Sequence, residues 1–497
     1  MAADDGDFPF DLSPDEERLL IRLVTDVETK KDSVAAAIDA LPARSDFAPD
    51  APIDDGRAPT AAEEDAAAES ANTSTAALLR STSSQISSPT LKRASECPED
   101  TATEVQSAPV REDFEDEFDD HRSPLKRFRS FPRRPLTVSD LTSGAWCELQ
   151  YWYTLSRLPG GRRTRTAAMQ QGSALHQKLE DEVHTTVEVE VLSREDGFGV
   201  RLWNLIQGLR TLRGTGLTRE LEIWGVVDGN LVNGVIDYLS YENPNPEFEL
   251  ELSQEEAQEE AKQAKVTDYF ASTTPDKENK PEGPKVYIAD VKTRGSLRKV
   301  PDSVLRPAKI QLLLYHRFLA DLAAGHLDFY KVFRRYGLDP DAPFSDTFLA
   351  QMAGSHDEML DTSPSSSWQS SEGGDLPYRS LRELLPLVER EVGLTFPAGL
   401  VSVGPMLRVE YVHRGDGFVI GHHDFAASRS ALDGYVGAYM AWWRGERRAA
   451  GVSLDEAFKC RTCEFADTCT WRAAMDARRV QSVRERLRAA GSKKPAT

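Results

Sequence analysis

Apolar residues recur at helical spacing in TVSDLTSGAWCELQYWYTLSRL (137–158) and in TAAMQQGSALHQKLEDEVHT (166–185). Both segments are predicted helices, the first N-capped and carrying Cys147. On the second, His176 and Glu180 are four residues apart and share a face. The pattern then shortens to apolar strand-like runs: VEVEVL at 187–192, LEIWGVV at 221–227, LVNGVIDYLSY at 231–241 and KVYIADVK at 285–292. A long helix is predicted over 303–322, strands over 406–412 and 417–420, and a further helix over 426–443. Helices and strands in this order predict an α/β fold with a mixed central sheet flanked by helices.

Other stretches lack either period. Residues 1–120 hold 30 Asp and Glu against 10 Lys and Arg, a net charge of −20 out of −21 for the whole chain. Such a segment cannot bury enough apolar surface to offset its ordering entropy, so a long disordered tail is expected over 1–135. Within it, DFPFDLSPDEERLLIRLVTDVETK has helical spacing and is suited to folding on a partner. The tail ends in HRSPLKRFRSFPRRP (121–135), with six basic residues and no acid. That segment reads as a solvated linker, a nuclear import signal or a phosphate-contacting arm. The body is expected over 136–472, interrupted by Pro- and Glu-rich residues 243–284 and Ser-, Asp- and Gly-rich residues 339–378, both read as disordered surface insertions. A basic helix and tail follow over 473–497.

Because nearly all the net charge lies in the tail, the remainder is close to neutral and can present local basic surface to nucleic acid. No apolar run is long enough for a membrane span, so no membrane partner is expected. The acidic N-terminus lacks the Arg-rich character of a mitochondrial presequence. Five cysteines in 497 residues do not form a secreted disulfide framework. Four of them, Cys147, Cys460, Cys463 and Cys469, point instead to a metal centre.

The chemistry-bearing residues lie in strands. Asp237 interrupts one apolar run, while Asp290 and Lys292, one residue apart, face the same side of another. A carboxylate there is costly unless it is paired or binds metal. Two carboxylates from adjacent strands can hold Mg²⁺, with the lysine orienting or activating a water; those are the parts phosphodiester hydrolysis needs. His176 is a further candidate ligand, or else a surface histidine paired with Glu180. Four thiolates suit either zinc or an iron–sulfur cluster. The one-plus-three spacing differs from the two close pairs of zinc ribbons.

The order G-x-x-L-H-x-x-L-E, G-x-I-D, I-A-D-x-K-T-R and Q-L-x-L-Y resembles the RecB-type branch of the PD-(D/E)xK nucleases. With S-D-L-T-x-x-x-W-C-E before it and C-x-x-C-x-x-x-x-x-C after it, the chain resembles the exonuclease V family over Leu136–Arg472. The resemblance implies a restriction-endonuclease-like core closed by an iron–sulfur domain. It also implies a Mg²⁺-dependent exonuclease specific for single-stranded DNA, releasing short oligonucleotides. His176, Asp237 and Asp290 become the implied metal ligands, with Glu180 as a possible addition. Lys292 is the implied catalytic lysine, Gln311 and Tyr315 line the site, and Cys147, Cys460, Cys463 and Cys469 hold a 4Fe-4S cluster. Asp290 lies 53 residues after Asp237, a separation that exceeds the compact family hairpin. A zinc-stabilised nuclease and a non-catalytic DNA-binding clamp adaptor are the alternatives.

Single-stranded DNA is expected to contact Arg162, Arg163, Arg165, Arg294 and Arg298, with Trp152 and Tyr153 as stacking candidates that, each taken alone, read as core residues. Within the first insertion, QAKVTDYF resembles the motif that docks replication and repair proteins onto the sliding clamp PCNA, through Gln263, Val266, Tyr269 and Phe270. Lys277-Glu278-Asn279 resembles a KEN degradation box, and Ser123-Pro124-Leu125-Lys126 a cyclin-dependent kinase site. A monomer is expected, in the nucleus or alternatively the mitochondrion, acting in repair or replication.

Overall fold

The computed structural model describes residues 89–93, 121–267, 283–297, 300–352, 378–415 and 417–491. The remainder of the acidic tail, with Cys97, lies outside these residues. A five-residue strand interrupts that tail: β1 (Pro89–Arg93) pairs in parallel with β3 (Thr185–Val189).

The body begins before Leu136. Helix α1 (Pro124–Phe128) is capped by Ser123, whose side chain accepts from the Lys126 backbone. Just beyond it, Arg129 is buried and grips both oxygens of buried Asp140 at 2.7 Å. The basic segment expected to be a linker or arm is therefore partly consumed in packing. A buried guanidinium needs this two-pronged partner, and charge counting alone does not identify it.

Next come β2 (Leu136–Thr137) and α2 (Val138–Thr142), opened by a Thr137–Asp140 capping box. The single helix predicted through Cys147 is broken there. A 3-10 turn spans Ser143–Ala145, and Cys147 is the extended N-cap of α3 (Glu148–Arg157), its sulfur accepting from the Gln150 N–H. Helix α4 (Ala167–Asp181) matches its prediction. Helix α5 (Arg194–Thr215) had no counterpart in the sequence reading. It is buried on nearly all sides from Phe198 to Leu212, so it shows no one-sided apolar stripe.

β4 (Leu217–Val227) and β5 (Asn230–Ser240) form an antiparallel hairpin closed by Asp228-Gly229. The first expected insertion folds largely as helix α6 (Pro246–Thr267). Its Glu, Ala, Gln and Lys are strong helix formers, and Pro246 occupies the first position, where a missing N–H costs nothing. Gln263 and Val266 fall within that helix, whereas Tyr269, Phe270 and the KEN triplet lie outside the described residues. β6 (Val286–Arg294) and α7 (Asp302–Ala323) follow, then α8 (Phe329–Tyr336). The second expected insertion starts too early, because Phe344, Phe348 and Met352, spaced four apart, are buried in the core. Residues 353–377 lie outside the described set. Helix α9 (Leu381–Thr395), strands β7 (Val403–His413) and β8 (Val419–Ala426), and helix α10 (Arg429–Trp443) complete the body. Helix α11 (Thr470–Gly491) is described by itself, with an Arg472–Asp476 ion pair one turn apart at 4.0 Å.

The main sheet is mixed, with order β2-β5-β6-β7-β8 and β4 on the other edge of β5. β6 and β7 are parallel; β5–β6 and β7–β8 are antiparallel. α7 packs on β4, β6 and β7, and α5 on β4 and α9. β5 divides its inner edge: Leu136 and Thr137 pair with Val232 and Asn233, while β6 pairs only with Tyr238, Leu239 and Ser240. Among the described pairings, residues 234–237 therefore have no strand partner on that edge. There Gly234 lets the helix come close, since a Cβ on it would lie 2.7 Å from the Tyr315 ring of α7 and from Val138. The sheet forks at this point.

Candidate active site

Both strand carboxylates stand at the fork. The β5–β6 ladder runs over Tyr238↔Ala289, Leu239↔Ile288 and Ser240↔Tyr287, so Asp237 and Asp290 are the first residues beyond its open end and face each other. The 53-residue separation is absorbed outside the ladder, by α6 and its flanks, and leaves the strand ends adjacent. Asp290 and Lys292 share one side of β6, as their period-two spacing predicts.

Lys292 Nζ donates to Asp290 Oδ1 at 2.8 Å and to Gln311 Oε1 at 3.2 Å. Gln311 Nε2 donates to the same Asp290 oxygen at 3.1 Å and lies 3.4 Å from the Tyr315 hydroxyl. One turn of α7 thus fixes the lysine against the carboxylate. Asp290 is buried, and apart from the Asp237 carboxyl beside it, its Oδ2 has no hydrogen-bond partner. A buried carboxylate oxygen in such surroundings is costly, and a cation is the natural partner for it.

His176 arrives from α4, which approaches β6 closely through Gly172, where a Cβ would lie 3.0 Å from Thr293 Oγ1. The imidazole does not pair with Glu180. Its Nδ1 lies 3.4 Å from Glu220 Oε1 and 3.9 Å from Asp237 Oδ2, and its Nε2 is 3.1 Å from the Val291 carbonyl. Glu180 accepts from Gln177 at 3.1 Å instead. His176, Glu220 and Asp237 offer ligand atoms all within 4.8 Å of one another, the one such trio among the described residues. Glu220 was missed in the sequence because the strand was drawn from Leu221. It sits in the polar first half of β4, where no apolar run marks it out, and it holds a left-handed φ of 51°, a strained conformation that recurs at functional sites.

Burial, and then the negative charge of Asp290, push the Asp237 carboxyl well above the usual carboxylate range. Burial opposes the charge of Lys292, but Asp290 and Asp237 outweigh it and raise the lysine. In the absence of a divalent ion, Asp237 therefore binds its proton more tightly folded than unfolded. Stability is lost as pH rises from the ordinary aspartate range through its raised value. Replacing Asp237 with Asn should accordingly raise the melting temperature of the metal-free protein at neutral pH while removing stabilisation by Mg²⁺. Thermal melts with EDTA and with Mg²⁺ check this; a less stable metal-free variant contradicts it.

The cysteine residues are brought together by the helix that follows Cys147. Cys460, Cys463 and Cys469 lie on two 3-10 turns, Ala457–Thr462 and Ala466–Thr468, or just after them. All four thiols are half-buried and none is in a disulfide. Gln150 bridges the two sequence-distant groups, its N–H reaching Cys147 Sγ at 3.5 Å and its Nε2 reaching Cys463 Sγ at 3.6 Å. Burial, with the Cys463 and Cys469 thiols nearby, pushes the Cys147 thiol up to about 11. A thiol so placed ionises at neutral pH only with positive charge beside it. The backbone is tied at the same place: buried Lys459 reaches the Trp146 carbonyl at 3.3 Å and Glu456 at 2.6 Å, and Arg306 of α7 joins Glu456 at 2.6 Å.

The two aromatic stacking candidates are used in packing, as their core reading expects. Tyr153 is buried against Phe465, with ring centroids 5.4 Å apart, and Trp152 packs on Phe128. Arg163 is ion-paired with Glu464 at 2.6 Å, Arg162 and Arg165 are exposed, and Arg298 lies outside the described residues.

Residues 123–472 match the family model described as exonuclease V, a 5′ deoxyribonuclease. The chain belongs to the exonuclease V family. It is 25% identical to Exonuclease V of Danio rerio over 352 residues, covering 70% of this chain and 73% of that protein. To "Exonuclease V, mitochondrial" of Candida glabrata it is 24% identical over 413 residues, covering 68% and 79%. A Saccharomyces cerevisiae protein of the same description is 26% identical over 277 residues, 46% of each chain. The matched region starts with the packed basic segment and ends after Cys469, as the body does. Membership makes the chain a hydrolytic exodeoxyribonuclease, and among the described residues no helix is long and apolar enough to cross a membrane.

Proposed function

We propose that this exonuclease is Mg²⁺-dependent, specific for single-stranded DNA, acts from the 5′ end and releases short oligonucleotides during repair or replication. The observation that carries this is the buried Asp290 beside Asp237 and Lys292 at the sheet fork, with His176 and Glu220 next to Asp237. His176, Glu220 and Asp237, with Asp290 beside Asp237, would offer three carboxylates and an imidazole, rich in the hard oxygen that suits Mg²⁺. That ion would polarise the scissile phosphate and lower the pKa of a water. Lys292 places its charge where negative charge grows in the transition state, and Gln311 keeps it aligned. Two strand carboxylates, a lysine and a supporting helix form the core of a PD-(D/E)xK nuclease.

We assign Cys147, Cys460, Cys463 and Cys469 to a 4Fe-4S cluster. The ligand order, one distant cysteine and three together near the C-terminus, differs from the two close pairs of zinc ribbons and supports the cluster. Docking on PCNA through residues 263–270 is retained as the proposed route to replicating DNA. The nucleus is the proposed compartment, and the mitochondrion, named for the yeast relatives, the second.

The test is anaerobic purification with iron, sulfide and zinc analysis, then digestion of strands labelled at either end. Short labelled oligonucleotides should appear first from the 5′ label, only with Mg²⁺, and from single strands in preference to duplex. Binding without digestion would favour the clamp adaptor, and stoichiometric zinc in a colourless protein would overturn the cluster.

A further inference from the structure

Beyond Lys292, the active-site side of β6 and β7 leads to a second group of residues that hydrolysis does not use. Lys292 pairs with Tyr411, and Arg294 with His413. Alternate residues of a strand share a face, and so do paired neighbours, so Arg294, Tyr411 and His413 lie on the side of Asp290 and Lys292. The Arg294 guanidinium sits 5.6 Å from the centre of the Tyr411 ring. At the β7–β8 turn, the His413 N–H donates to the Phe418 carbonyl at 2.8 Å, and the two rings stand 5.4 Å apart at 42°. Phe418 is 46% exposed, so its ring is accessible at this end of the strand pair. Beside it, the Arg414 backbone is bound to the Arg294 carbonyl, and Arg414 Nε is buried without a hydrogen-bond partner.

Two residues of strand rise and one strand spacing put His413 about 8 Å from Lys292. That span equals two or three stacked nucleotides at ~3.4 Å each. Single strands are held by aromatic faces that accept any base and by cations beside the backbone. We propose that Phe418, backed by His413, is a base-stacking subsite for a nucleotide a few positions from the scissile phosphate, with Arg414 and Arg294 facing the adjoining backbone. The subsite rests on the single-strand reading of the function. It gives a role to the accessible aromatic ring at the end of the strand pair that carries the lysine.

The test uses the full chain and an oligothymidylate, intact or with one abasic site moved along it. Phe418→Ala should raise KM by about 5- to 100-fold with kcat within about twofold, and Phe418→Trp should restore KM. The wild type should bind the abasic strand worse at one position only, and Phe418→Ala should lose that position dependence. An unchanged KM, or a position dependence that survives in Phe418→Ala, overturns the subsite. If the wild type itself neither binds nor digests oligothymidylate, the single-strand reading fails first.

Discussion

Asp290→Ala should lower Mg²⁺-dependent digestion of single-stranded DNA at least about a thousandfold, with DNA binding retained. Asp290 is the shared acceptor of Lys292 and Gln311, so its loss frees both the lysine and the helix side chain that aligns it. It also removes the oxygen that, apart from the Asp237 carboxyl, has no partner. Binding should persist because a strand is held mainly through phosphate contacts and stacking away from this carboxylate. Removing a negative charge beside a phosphate does not weaken that attraction. Asp290→Asn separates charge from shape: it keeps the size and an acceptor for Lys292, so comparable inactivity assigns the effect to the lost charge. Digestion rates under single-turnover conditions, with anisotropy for binding, measure both, and unchanged digestion by Asp290→Ala would sink the proposed mechanism.

The second large effect is expected from Cys147→Ser. Cys147 lies 313 residues before Cys460, so a cluster joining them closes most of the body into one loop. In the chain-entropy account such a cross-link stabilises by roughly 5 kcal/mol, which the variant forfeits. The Lys459–Trp146 and Arg306–Glu456 contacts remain. The expected outcome is therefore a loosened Cys460–Cys469 segment, still held by Arg163–Glu464 and Tyr153–Phe465, and a lowered melting temperature rather than global collapse. Iron and visible absorption should disappear together. Because Arg306 belongs to the helix carrying Gln311 and Tyr315, digestion should fall as well. Full iron content in Cys147→Ser would show that this residue is not a ligand.

The legible part of the site follows strand arithmetic. Asp290 and Lys292 share a face because side chains alternate, and Gln311 and Tyr315 meet the strand because residues four apart stack on a helix. Asp237 was identified as an acid within an apolar run, although its distance from Asp290 argued against a compact hairpin. Helix α6 removes that objection, since an insertion outside the ladder does not alter register. Other features left no periodic trace. Helix α5 is buried around its circumference, and the Phe344, Phe348 and Met352 ridge sits in a Pro- and Asp-rich setting. Glu220 gains its role only from its neighbours on β5 and α4.

By itself, the sequence determined the residue types, their order and the α/β class, because burial and strand or helix periodicity are written in local pattern. It also placed nearly all of the net negative charge before residue 121 and left the remainder nearly neutral, since charge is read directly from residue types. Only the tertiary structure decided that His176 meets Glu220 rather than Glu180, that Arg129 is spent inside the body, and that the sheet forks at Asp237. Each of these depends on which segments approach across long separations. Such pairings are selected by the packing of the whole core, which no local window contains.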